Sequence, residues 1–423
     1  MRKIIWSLGA LVLLLFTGCR PDSGNSEEPQ SDNLPVRVLG DYVVEILEDI
    51  TAEDPVKFEQ YMATHPEAWP DNSGCTAVCK QLGTDLVFGR NMDLSVSEHP
   101  VYVFYTTGGK YRTMHLFYSY AADCPDFATV KAQGVPKSFA KTMPWNGSMD
   151  ILNEKGFYIE VNMRPYEEGI DGTLIELCPG TNPGKTRLFI RQLPYYLASR
   201  CATVDEAVAL LDELDIYNYL GEGQKSWNRC FMVGDTTGNY GLIEFGDNKV
   251  LFTPKQYFQA NFYIAEDFRK KSQFGAGYGR IQVMQDKYDR INSEKDIMEL
   301  MSSIYYSKVL RSLHDGDLSK YFDTRSEFGH SIPINKDGKI DLFYGDVRRC
   351  TTPWMLRTDT AILNAFAPSV WTMQYGESIE LKDLRRITPP VYWYTVINST
   401  TNLMQRTVTL RCWESSAEYH LSL

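Results

Sequence analysis

Residues 71–95 read DNSGCTAVCKQLGTDLVFGRNMDLS, and this stretch decides how the chain is understood. The Asp71-Asn72-Ser73-Gly74 run is a loop ending. From Cys75 the texture turns to short strands, CTAVCKQ and DLVFGR, placed around Leu82-Gly83-Thr84 like a hairpin. A cysteine sits directly behind a glycine, and an arginine and an aspartate, Arg90 and Asp93, close the second strand.

A cysteine nucleophile needs a base to generate thiolate, commonly a histidine. The six histidines, His65, His99, His115, His314, His330 and His420, stand in no cysteine-protease context. Cleavage of the Gly74–Cys75 bond offers another route. It frees an α-amine whose ordinary pKa is about 8, close enough to neutral to accept the thiol proton. Cys75 would then supply both nucleophile and base. The glycine opens the junction to attack, and the upstream segment keeps the amine blocked until the cut.

The run GCTAVCKQ followed by LVFGRNMD resembles the start of the choloylglycine hydrolase family. These are N-terminal-nucleophile hydrolases that include bile salt hydrolases and penicillin V acylases. Three further stretches are similar to family motifs in the same order: LNEKGFYIEVNMRP, FQANFYIAEDF and GAGYGRIQVM. The resemblance implies Cys75 as nucleophile, with Arg90 favouring thiolate and Asp93 orienting the α-amine. It implies Asn153 and Asn261 as donors to the tetrahedral oxyanion, and Arg280 as the late arginine of the site. A four-layer αββα sandwich of the α+β class is the fold it implies, with no cofactor and no metal. Two departures stand out. Ala260 occupies a usual threonine position, and Arg280 follows Asn261 more closely than in bile salt hydrolases, where an extended loop helps tetramer assembly. The segment upstream of Cys75 is also long, as in the related acid ceramidases, whose cleaved pieces stay associated.

The rest of the chain frames this reading. Met1-Arg2-Lys3 and the apolar run Ile4–Phe16 are a signal-peptide pattern, too short to span a bilayer comfortably. Phe16-Thr17-Gly18-Cys19 resembles a bacterial lipobox, so residues 1–18 are expected to be removed and Cys19 lipidated; an ordinary secretory signal is the alternative. Residues 19–34 are polar and acidic and read as a flexible tether. Residues 35–74 form the prosegment, where Val36, Leu39, Val43, Ile46, Leu47 and Ile50 recur at helical spacing and predict an amphipathic helix over 36–61. Residues 75–423 are the catalytic domain. There, TVDEAVALLDEL carries a capping-box start for a helix, SEKDIMELMSSIYYS reads as a second helix, and strands surround both. Strands, helices and strands again, without βαβ alternation, indicate stacked antiparallel sheets with helix layers.

A net charge of −11 disfavours nucleic acid as a partner. Nine cysteines without a CxxC pair do not form a metal knuckle. Gly275-Ala276-Gly277-Tyr278-Gly279 lacks the Gly-Lys-Ser/Thr ending of a phosphate loop, and His314-Asp315-Gly316-Asp317 reads as a solvated turn. Trp145 is a candidate for lining an acyl pocket. The expected activity is hydrolysis of a linear, non-peptide amide in the bacterial cell envelope. Conjugated bile salts, N-acyl amines, acylated amino acids and penicillin V are the substrate classes, and the cleaved prosegment is expected to stay associated. An acyltransferase of the same fold and a non-catalytic, ligand-binding surface lipoprotein are the alternatives.

Overall fold

A computed structural model describes residues 32–40, 43–64, 74–95, 99–118, 124–146, 149–164, 182–218, 228–246, 249–261, 263–269, 281, 284–285, 287–303, 339–341, 378–380, 393–412 and 418–423. The chain divides into two units, Met1–Asp32 and Asn33–Leu423; apart from Asp32, all that follows concerns the second. The lipobox, Cys19, Arg280, the Gly275 loop and the 314–317 turn lie outside the described residues.

Two sheets dominate. One has ten strands, ordered Lys249–Pro254, Tyr240–Gly246, Asn228–Gly234, Tyr158–Arg164, Asp150–Asn153, Thr113–Phe117, Val101–Thr107, Val43–Ile46 and Val36–Gly40, with Ile50–Thr51 added beside Val101–Thr107. The other has six, ordered Phe258–Gln259, Gly74–Leu82, Asp85–Ser95, Trp393–Asn402, Thr407–Cys412 and Glu418–Ser422. Alternation along each strand sends one set of side chains between the sheets and the other set outward. Phe88, Ala77 and Val408 from the six-stranded sheet meet Leu152, Tyr158, Met232 and Leu116 from the ten-stranded sheet in one buried core.

The outer faces are covered by helices. Ile151, Ile159 and Val161 point the other way and pack under Leu193, Leu197, Val204 and Leu211, from the helices Leu193–Ala198 and Val204–Leu211. On the far side, Val78 and Val87 pack against Ile297, Leu300 and Met301 of the helix Glu294–Ser303. Helix, sheet, sheet, helix is a four-layer α+β sandwich, assembled by the chain's own apolar pattern.

Both expected helices form. Thr203 caps Val204–Leu211 by accepting from the Glu206 N–H at 3.2 Å, and the Glu206 carboxylate accepts from the Ala202 N–H at 2.7 Å. The central hairpin also forms, with Gly83 at φ +62° in a turn that glycine enters without a Cβ penalty.

The upstream segment departs from its expectation. Val36–Gly40, Val43–Ile46 and Ile50–Thr51 are strands, and only Pro55–Thr64 is helical. The three-and-four spacing of valine and isoleucine is misleading because Val43–Ile46 is buried on both faces, which erases strand alternation. β-Branched residues favour that extended state. Val43–Ile46 runs parallel to Val101–Thr107, with Val43 opposite Val101. The helix that follows buries Phe58 and Met62 in the outer core beside Trp145 and Tyr195. Residues ahead of Cys75 are thus part of the ten-stranded sheet and of its outer helix layer.

Candidate active site

Cys75 is the second residue of Gly74–Leu82, the strand next to Asp85–Ser95. Their antiparallel register places Gly74 opposite Asp93, Cys75 opposite Met92 and Ala77 opposite Arg90. The hairpin therefore returns the Gly-Arg-Asn-Met-Asp run alongside the Gly74–Cys75 bond. Cys75 is fully buried.

Arg90 is the centre of the cluster. It is 1% exposed, and one terminal nitrogen lies 3.5 Å from the Cys75 sulfur. The same nitrogen donates to the Val161 carbonyl, and the other donates to the Asp150 carboxylate and the Met149 carbonyl. The Arg90 Nε lies 3.3 Å from Glu160 Oε2, without the alignment of a hydrogen bond. Burial works against the guanidinium charge, but Cys75, Glu160 and Tyr158 outweigh it and hold Arg90 more firmly protonated than usual. A permanent cation beside a sulfur favours thiolate.

The second contact to Cys75 comes from the edge of the same sheet. Phe258–Gln259 pairs with the start of Gly74–Leu82, with Gln259 opposite Ala77. This delivers Asn261, fully buried, so that its Oδ1 accepts from the Cys75 N–H at 2.9 Å. The loop beyond Asn261 is held by Glu244, whose carboxylate accepts from the N–H groups of Ile264 at 2.9 Å and Ala265 at 2.6 Å.

The two cysteines of this strand differ. Burial, then Glu160, push the Cys79 thiol well above its usual value, although Lys255 works the other way. Its carbonyl accepts from the Tyr288 hydroxyl at 2.9 Å. Cys79 is a thiol of the buried inter-sheet core, and its burial disfavours thiolate.

The structure brings Cys75, Arg90 and Asn261 together and stations the Asp93 backbone opposite Gly74. It does not bring Asn153 there. Asp150 and Leu152 face the inter-sheet space, so strand alternation turns Asn153 toward the outer helices. Its amide donates to the carbonyls of Ala198 and Cys201 at 2.8 and 2.7 Å and accepts from the N–H groups of Lys155 and Phe157. Both donors are committed, and the expected oxyanion role of Asn153 is corrected to a structural anchor. Trp145 is likewise corrected: its Nε1 donates to the Glu53 carbonyl at 2.6 Å, and its ring packs edge-on against Tyr195 in the outer core.

Three residues that the sequence reading passed over stand on the inner face instead. Asp150 and Glu160 are directly opposed on neighbouring strands, and Asn162 lies two residues beyond Glu160. All three are buried. Asn162 donates to Glu160 Oε1 at 3.3 Å, while its own Oδ1 has no hydrogen-bond partner. The alternation in GFYIEVNM was the available signal, because it puts Tyr158, Glu160 and Asn162 on one face. Among the described residues, no group of three His, Cys, Asp or Glu side chains is placed to hold a metal ion.

No family model matches the chain, and no curated protein matches it in sequence. Among solved structures it is similar to two altered forms of the conjugated bile acid hydrolase from Clostridium perfringens. One shows 13% identity and a TM-score of 0.41, the other 12% and 0.42; each comparison covers 82% of this chain and 92% of the other. It is also similar to penicillin V acylase from Agrobacterium tumefaciens, at 12% identity and a TM-score of 0.37, over 82% of this chain and 86% of that one. The chemistry assigned to individual side chains rests on the geometry above.

Proposed function

We propose that this chain is an exported amidohydrolase that uses Cys75 as an N-terminal nucleophile, activated by cleavage at Gly74–Cys75. One observation carries the reading: a buried thiol lies 3.5 Å from a buried guanidinium, and its own backbone nitrogen is held by the Asn261 side chain at 2.9 Å. A structural cysteine needs neither contact. Cys79, four residues on, shows what such a cysteine looks like.

In the cleaved enzyme the Cys75 α-amine accepts the thiol proton, and the sulfur attacks the carbonyl of a linear amide. The proton passes to the departing amine, leaving an acyl thioester on Cys75. Water, activated by the same amine, then releases the acid and restores the thiol. Arg90 holds positive charge by the sulfur throughout, and Asp93 orients the amine. Asn261 is placed to steady the amine and, through its amide nitrogen, the oxyanion; one such donor contributes about 3 kcal/mol. Asn162 takes the oxyanion place once assigned to Asn153, and Arg280 keeps the role of late arginine that the resemblance implies. No metal or organic cofactor takes part.

Conjugated bile salts, N-acyl amines, acylated amino acids and penicillin V are the substrate classes. Cys19 carries the lipid anchor, and the prosegment stays bound after the cut, which keeps the catalytic chain at the membrane of the cell envelope. Its support is the parallel pairing of Val43–Ile46 with Val101–Thr107 and the burial of Phe58 and Met62. A panel of these amides, assayed for released amine, tests the reading. Wild type should release amine from at least one class while Cys75→Ala and Arg90→Met release none. Equal release by Cys75→Ala would sink it.

A further inference from the structure

The Arg90 guanidinium is one positive charge between three acids. Asp150 and Glu160 sit directly opposite each other on adjacent strands and approach it from the ten-stranded sheet. Cys75 approaches it from the six-stranded sheet. All four groups are buried. The reaction written above uses Arg90 and the thiol and gives the two carboxyl groups nothing to do.

Several hydrogen bonds are unmade here, and the Arg90 Nε donor is among the unpaired atoms. Asp150 Oδ2, Glu160 Oε2 and Asn162 Oδ1 are all buried without a partner. An acceptor left unmade in the interior is destabilising. Two ionised carboxylates directly opposed across a strand pair also repel. A proton on Glu160 eases both faults, since it removes one negative charge and adds a donor beside buried acceptors that lack one. Other groups facing Glu160 do not replace that proton. Tyr158 precedes it on its own face, Cys79 approaches from Gly74–Leu82, and Asn162 and the Met232 N–H supply weak donors.

Resting on the nucleophile reading of Cys75, we infer that Glu160 is a positioning residue whose proton decides how much of the Arg90 charge the Cys75 sulfur receives. With Glu160 neutral, Arg90 is divided between Asp150 and the sulfur, and thiolate is favoured. With Glu160 ionised, a second carboxylate competes for the same cation and its own charge repels the thiolate. The two groups are then thermodynamically linked: ionising one raises the proton affinity of the other, and protonating one lowers it. Burial lifts the Glu160 carboxyl to about 7 against the opposing pull of Arg90 and the Met232 N–H, so the linkage operates near neutral pH. A surface carboxylate could not act in this way, because water would screen it.

Ultraviolet thiolate absorbance tests this without requiring a reagent to reach the buried sulfur. The purified protein is titrated, and the curve of a Cys75→Ala variant is subtracted. In the wild type the Cys75 transition should be broader than a one-proton curve. In Glu160→Gln, which keeps the shape and removes the charge, it should narrow and move to lower pH by about one unit. Superimposable curves for wild type and Glu160→Gln would overturn the inference. If Glu160→Gln does not fold, the wild-type curve decides alone, with a one-proton shape counting against the linkage. The amide-release assay remains a separate matter. Activity surviving in Cys75→Ala would remove the nucleophile reading, whereas superimposable titrations beside an inactive Cys75→Ala would remove only the role of Glu160.

Discussion

The side-chain oxygen of Asn261 lies 2.9 Å from the backbone nitrogen of Cys75, while Asn153 spends both amide hydrogens on the carbonyls of Ala198 and Cys201. Two asparagines with the same expected duty thus lie in different layers, Asn261 beside the thiol and Asn153 under the outer helices, and their variants should separate. Asn261→Ala should lose about 10²–10³ in kcat while the fold keeps most of its stability. Asn153→Ala should lose about 1–3 kcal/mol of stability and, in whatever remains folded, less than tenfold in kcat. Steady-state kinetics beside urea unfolding would distinguish them, and the reverse pattern would restore Asn153 to the chemistry.

Arg90→Met should be damaging twice over. It removes the cation beside the sulfur and strands Asp150 and Glu160 without a counter-charge. Breaking a buried ion pair by deleting one partner costs about 3–5 kcal/mol. Chemical denaturation should show that loss near pH 8, with partial recovery near pH 5, below the raised pKa of about 7 of Glu160. A variant as stable as wild type at pH 8 would mean the carboxylates are not charged there.

His115 predicts a separate pH effect far from the thiol. It is buried, stacked on Phe104 at 4.4 Å and close to the hydroxyls of Thr113 and Thr106. Burial holds its pKa well below the usual 6.5. Above pH 6.5 the ring is neutral folded or unfolded, and it adds no pH dependence. Below 6.5 the unfolded chain takes up a proton that the native state refuses, so stability falls as pH falls, by up to about 1.4 kcal/mol per unit. Thermal unfolding from pH 7 to pH 5 should show a steeper decline for wild type than for His115→Gln. Parallel declines would exclude His115 as the cause.

Retention of the prosegment has its own test. After cleavage, a fragment ending at Gly74 should co-elute with the catalytic chain under native conditions and separate in denaturant. Met62→Ala, which opens a cavity in the outer core, should weaken that association by about 2–5 kcal/mol. Native elution of a catalytic chain lacking the fragment would show that the strands of residues 36–51 do not hold it.

These residues also show what the sequence made legible. The hairpin at 74–95 was readable because its turn, alternation and strand lengths agree, and its register follows from the two-residue turn. The capped helix Val204–Leu211 was readable from Thr203 and Glu206. Val43–Ile46 was not, because a strand buried on both faces shows no period of two, and chance spacing mimicked a helix. The site divides along similar lines. Cys75, Arg90 and Asn261 carry a recognisable order along the chain and meet in space. Asn153 misled because a motif fixes a residue's place along the strand, whereas parity with Asp150 fixes its face. Asp150 and Glu160 were hidden for the opposite reason: only the pairing of two strands puts them on one guanidinium.

The state of the Gly74–Cys75 bond comes first. Intact mass and N-terminal sequencing of the purified protein, beside the Cys75→Ala variant, would read it directly. Self-processing requires a wild-type chain that begins at Cys75 and a variant that stays joined. A wild-type chain still continuous through Gly74, yet active on an amide, would contradict the use of the Cys75 amine as the base.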